Sequence, residues 1–146
     1  MTVQEYLERP EALRREIARK RRRIETLRRL SVRLTAQLRE ITVKSSPDPH
    51  RMQSLLAEAA DEKEELHLLE EQLRETLTAL ALYISLLPDE RMIRLLEMRY
   101  MDSISWEEIC RQLGYGRSTV FRLHQNALRL LPPPPETAES LLSDHQ

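Results

Sequence analysis

The sequence of 146 residues holds two glycines, one cysteine, one tryptophan and one phenylalanine. Each shortage excludes something. A single cysteine permits no intramolecular disulfide and no zinc cluster. Cys110 is expected as a small core residue rather than a reactive thiol. The glycines, Gly114 and Gly116, flank one tyrosine, so no glycine-rich loop exists to cradle a phosphate. Aromatics at 4 % and charged residues at 32 % favour long helices over sheet and leave little for a large globular core. No apolar run is long enough to span a bilayer. The opening MTVQEYLERPEALRRE lacks the apolar core of a signal peptide. A cytoplasmic location without a membrane partner is the expectation. His50, His67, His124 and His145 are scattered without metal-ligand spacing. No Ser/His/acid arrangement can be inferred. Glu107-Glu108 is explained by its place at a helix start, where acids suit the helix dipole. A protein that is not an enzyme, with no cofactor and no metal, is expected.

The net charge of −1 hides an asymmetry. Residues 1–44 carry thirteen Lys/Arg against six Asp/Glu, and residues 45–87 carry three against nine. Residues 88–131 are nearly balanced at seven against six, and 132–146 hold three acids and no base. The distribution therefore says more about partners than the total does.

From near 3 to 43 the chain reads as one long helix. Leu13, Ile17, Ile24, Leu27, Leu34, Leu38 and Ile41 alternate at four and three, a coiled-coil pattern. Lys20 and Ser31 fall in the same seam as two polar gaps. Pro10 marks a kink or the true start. The run Arg19-Lys20-Arg21-Arg22-Arg23 wraps all round the helix. It has two readings, a phosphate-backbone contact or a solvated face paired with acidic residues elsewhere. Lys44 to Pro49 breaks the helix, with Asp48-Pro49 as a cap and first-turn pair. A second, acidic helix runs to about Leu87 on Leu55, Ala59, Leu66, Leu69, Leu73, Leu80 and Leu87, widened by Leu77 and Ile84. A basic helix and an acidic one of similar length argue for an antiparallel hairpin. Its outer apolar edges predict a homodimer through that hairpin.

Pro88-Asp89-Glu90 opens a shorter helix to about Met101, with Met92, Ile93, Leu96 and Tyr100 facing inward. Ser105 and Glu108 form a capping-box pair. Trp106, Ile109, Cys110 and Leu113 then share one face. Gly114 supplies a left-handed turn. A last helix, 117–131, turns Val120, Leu123, Ala127 and Leu131 inward. Trp106 is expected where the three short helices meet, and His124 as a structural residue. Pro132 to Pro135 end the helix, and the acidic tail after them is expected to lack order. The domains expected are thus 1–87, a helical-hairpin oligomerisation region; 88–131, a helix-turn-helix; and 132–146, the tail.

Leu87 to Leu131 resembles region 4 of sigma-70-type RNA polymerase sigma factors. The likeness rests on Arg99-Tyr100, Trp106-Glu107-Glu108-Ile109, Gly114-Tyr115, Val120-Phe121-Arg122-Leu123-His124 and Ala127-Leu128. With its preceding hairpin, the chain is similar to short phage and prophage transcription regulators of sigma-factor-like type. The resemblance implies an all-α fold, a long antiparallel coiled-coil hairpin followed by a trihelical helix-turn-helix domain. It also implies double-stranded DNA as partner and RNA polymerase as a possible second. Gly116 departs from the pattern, standing where a serine or threonine usually caps the recognition helix. No promoter-melting segment is present, so a complete sigma factor is not expected.

A recognition helix reads base edges in the major groove. Opposite the inward face lie Ser118, Arg122, Gln125 and Arg129, flanked by Arg117, Thr119, Phe121 and Asn126. Arg122 suits guanine and Gln125 suits adenine. Arg117 and Thr119 suit phosphate, and Arg111 would add a backbone contact. Phe121 would touch a thymine methyl or cover the helix before it. A DNA-packaging recognition subunit of small-terminase type, or a scaffold that binds RNA polymerase, would use the same parts.

Overall fold

The computed structural model describes residues 1–40 and 49–135. Among these residues every regular element is helical and no strand occurs. The order is α1 (Val3–Leu7), α2 (Arg9–Glu40), α3 (Pro49–Ile84), α4 (Glu90–Leu96), a π-helical turn (Glu97–Met101), α5 (Trp106–Leu113) and α6 (Arg117–Leu130). No helix among the described residues is long and apolar enough to cross a membrane.

Local chemistry sets the boundaries. Thr2 and Glu5 cap α1 reciprocally, each backbone N–H donating to the other's side-chain oxygen at 3.1 Å. Pro10 does more than kink the expected first helix. α1 ends at Leu7 with Glu8 as its cap, and α2 restarts with Pro10 as its second residue, where no backbone donor is needed. The expected break over Lys44 to Asp48, and Ile41, lie outside the described residues; Pro49 opens α3. α3 stops at Ile84, three residues short of Leu87. There the chain tightens, with Leu86 N–H donating to Tyr83 O and Leu87 N–H to Ile84 O. Pro88 disfavours helical backbone in the residue before it. Leu87 still packs inward.

The chain forms two compact units. One joins Met1–Ala12 to the stretch from Glu75 onward. Its core includes Leu7, Leu80, Ile84, Leu95, Leu96, Ile109 and Val120, all fully buried. Tyr6 meets Tyr83 edge to face at 4.9 Å between ring centroids. The Tyr83 hydroxyl donates to the carbonyl of Pro132. Packing therefore crosses both boundaries drawn from the sequence at 87/88 and 131/132. The reason is size: three short helices bury too little apolar surface alone. α1 and the end of α3 complete their core. The tail beyond Pro135 lies outside the described residues.

The other unit is Leu13–Arg74. On α2, every described position of the four-three frame is shielded, polar gaps included: Leu13, Ile17, Lys20, Ile24, Leu27, Ser31, Leu34 and Leu38. Lys20 pairs with Glu62 at 2.9 Å and with Glu65. Arg23 pairs with Glu58, and Arg21 with Glu70 at 3.4 Å. Ser31 Oγ meets Met52 Sδ at 3.8 Å. The partners on α3 lie between Met52 and Glu70 for α2 positions 20 to 31. These contacts tie α2 to α3 within this unit. Each polar gap in the α2 seam faces a residue that can use it. Hydrogen bonds to Glu65 and Glu62, the ammonium donating, hold the Lys20 pKa above its usual value. Pairs this near the surface contribute little stability; their effect is on register, because a slip of one heptad exchanges Glu62 for Leu55 or Leu69.

Candidate nucleic-acid interface

The geometry of α6 is set by the elements before it. Asp89 caps α4 by accepting from Arg91 N–H at 2.9 Å. The Arg91 guanidinium folds back onto the same carboxylate and holds its pKa below the usual range. The turn after α4 is wound wider than an α-helix: Asp102 N–H donates to Glu97 O, five residues back. Arg99 in this turn lies over the Trp106 ring at 4.7 Å and donates to Ile104 O at 3.3 Å. Ser103, at φ 56°, donates from its hydroxyl to Glu11 at 3.1 Å. The strained link into α5 is thereby fastened to the start of α2.

Ser105 caps α5 by accepting from Glu108 N–H at 3.3 Å. The Glu108 carboxylate turns instead to Arg111 at 2.9 Å and Gln112 at 3.4 Å. Gly114 then adopts φ 74° and closes α5. Its N–H and that of Tyr115 both donate to Cys110 O, at 2.9 and 3.2 Å. Cys110 is half-buried rather than buried. It lines an open hollow of about 220 Å³ with Trp106, Arg117, Val120 and Phe121. Gly116 precedes α6 with no side-chain cap, leaving first-turn N–H groups open at that end.

The inward face of α6 is Val120, Leu123, His124 and Ala127, with Leu131 buried just past the helix end. His124 is 4 % exposed. Its Nε2 lies 2.7 Å from the Tyr100 hydroxyl, and its ring meets Trp106 edge-on at 5.0 Å. Trp106 therefore touches the π-helical turn through Arg99 and α6 through His124. Burial, then Glu8, pushes the Tyr100 hydroxyl up to about 12, so it is neutral at ordinary pH. Burial, then the Arg99 charge, lowers the His124 pKa. The fold thus holds a neutral imidazole, and the unfolded chain takes up the proton first as pH falls. The contribution of this residue is complete above the unfolded value near 6.5. It is lost as pH falls through the lower folded value. His124→Leu is expected to cost about 1–3 kcal/mol at neutral pH, since it strands the Tyr100 hydroxyl. That cost should shrink in thermal unfolding below about pH 6. A cost constant with pH would contradict the buried neutral imidazole.

The outward face of α6 carries Arg117, Ser118, Thr119, Phe121, Arg122, Asn126 and Arg129, all exposed, while Gln125 is half-buried. Ser118, Arg122, Gln125 and Arg129 form one row opposite the buried face. From Ile109 to Pro135 there are four arginines and no acid. The near-balance of residues 88–131 is thus made of separated halves. The acids sit on α4, the π-helical turn and the first turn of α5; α6 is purely basic. A segment total could not reveal this. Arg111 is tied to Glu108.

Compared with protein-family models, curated proteins and solved structures, the chain matches none. What α6 does must be argued from these residues. Phe121, 64 % exposed, both edges the hollow beside Cys110 and presents most of its ring outward. The two uses expected for it are therefore not exclusive.

Proposed function

We propose that this chain is a sequence-specific DNA-binding transcription regulator of the sigma region 4 kind, phage or prophage encoded. In this reading α5, the Gly114 turn and α6 act as a helix-turn-helix, and α6 enters the major groove. The observation that carries it is the outward row Ser118, Arg122, Gln125 and Arg129 on a helix without acids. Arginine forks onto guanine, and glutamine onto adenine. Arg117 and Thr119, beside the uncapped first turn, suit phosphate. α2 and α3 form an antiparallel coiled-coil hairpin through which two copies associate. Exposed Leu82 and Leu86, at 69 % and 63 %, support an association surface near the end of α3.

Selection of bound sequences from a random duplex pool at moderate salt tests the reading. An enriched motif with two related half-sites is expected. Arg122→Ala should lose about 1–3 kcal/mol of binding and relax preference at one base position. An unchanged motif in that variant would remove Arg122 from base reading.

A second reading is a scaffold that docks a protein such as RNA polymerase. It is favoured by exposed Phe121 and Leu130 on the same helix. Absence of any enriched motif would favour it. A small-terminase-like packaging subunit would instead show itself as a ring of many copies in sedimentation.

A further inference from the structure

The basic run Arg19–Arg23 divides by direction. Lys20, Arg21 and Arg23 turn toward α3, where Glu62, Glu65, Glu70 and Glu58 hold them. These cations are occupied within the molecule. Arg22 turns the other way. At 100° per residue it aligns with Arg15 and Arg29, each seven residues off, and Arg33 continues the row. All four are exposed. The row lies opposite the Ile17–Lys20–Ile24–Leu27 seam, so α3 cannot reach it. Among the described residues none of the four holds an ion pair. Arg29 does lie within the field of Glu25, but that carboxylate is bound by Arg28 through Nε at 3.0 Å and Nη2 at 2.8 Å.

We infer that the outward row Arg15, Arg22, Arg29 and Arg33 of α2 contacts the phosphate backbone of double-stranded DNA. The inference rests on the DNA-binding reading of α6 and adds a second surface to it. Successive arginines seven apart stand about 10.5 Å apart along the helix, so the row is roughly 27 Å long. A straight rail of guanidiniums with no base-reading partners suits a regularly charged polymer. Arginine forks match phosphate oxygens, and such contacts position without reading sequence. A second copy of the chain is the competing occupant. It is disfavoured because the row itself is all arginine; the apolar side chains that border it are Ala18 and Ala36, with Leu30 and Val32 exposed on its two flanks near the Arg29–Arg33 end, too few and too divided for a stable self-contact. Residues 88–131 alone have only a slight positive balance, and the row supplies the general affinity they lack.

The test uses the full chain, a random-sequence DNA duplex and a salt titration. The triple variant Arg15→Gln, Arg22→Gln, Arg29→Gln keeps good helix formers on an exposed face. Its log-affinity against log-salt slope should be shallower than wild type by about 2–3. Its selected motif should be unchanged. A control triple, Arg21→Gln, Arg23→Gln, Arg28→Gln, makes the same change in net charge at occupied positions and should alter the slope far less. Circular dichroism on both verifies that the helices persist. An unchanged slope in the first triple, with Arg122→Ala still losing its preference, would overturn the row and leave the α6 reading standing. Equal effects of the two triples would reduce it to bulk charge and overturn it. A changed sedimentation coefficient with an unchanged slope would assign the row to a second copy. No salt-dependent binding by wild type would remove both readings.

Discussion

Replacing Leu7 with alanine is expected to destabilise the unit that carries α6 by about 2–5 kcal/mol. Leu7 is far from α6 in sequence, yet it is fully buried with Leu80, Ile84, Leu95 and Leu96. Truncation removes three carbons from a core that short helices built with little to spare. Trp106 is the single tryptophan and lies in the same unit, so its fluorescence reports unfolding there. The urea midpoint followed through Trp106 should fall markedly. A midpoint equal to wild type would mean that α1 contributes nothing to this core.

Ile109→Ala is expected to cost a similar amount, about 2–5 kcal/mol. Ile109 is the residue that α5 buries completely; Trp106, Cys110 and Leu113 are only half-buried. The attachment of α5 to its neighbours thus depends on one side chain. Cys110→Ala, by contrast, removes a half-buried thiol beside an open hollow and should shift the melting temperature far less. Calorimetry of both variants separates the cases. Similar shifts would show that α5 is held by its whole face.

The long helices were legible from the residues because their spacing repeats. Leu13, Ile17, Ile24, Leu27, Leu34 and Leu38 declare the seam, and the structure shields each of them. The inward face of α6 followed from the same rule. Two things did not follow. Spacing cannot say what a face packs against, so nothing pointed from Tyr6 and Leu7 to Tyr83, Ile84 or Pro132. Nor does a periodic template anticipate the wider turn at Glu97–Met101, whose extra residue shifts the inward face. That shift buries Met98, which the α-helical frame had not placed inward. Leu95 was missed for a simpler reason: the inward stripe is centred to one side of the one drawn through Met92, Ile93, Leu96 and Tyr100, so Leu95 is buried and Ile93 only half-buried. At the candidate interface the outward residues were legible, but Gln125 is less accessible than the wheel suggests. The segregation of charge along 88–131 was hidden by summing it. The two directions of the basic run needed the acids of α3 in place before they could be told apart.

The joining of Met1–Ala12 to the stretch from Glu75 onward also fixes an order in time. Leu80 follows Leu7 by more than seventy residues. At about 5–20 residues per second on the ribosome, roughly 4–15 s separate their synthesis. Through that interval Tyr6 and Leu7 lack the core side chains of α3 that they pack with. A chaperone that captures short apolar segments would meet α1 before the end of α3 exists. A contact that closes so long a loop forms late. A nascent chain halted before Leu80 would carry Tyr6 and Leu7 without the core that buries them.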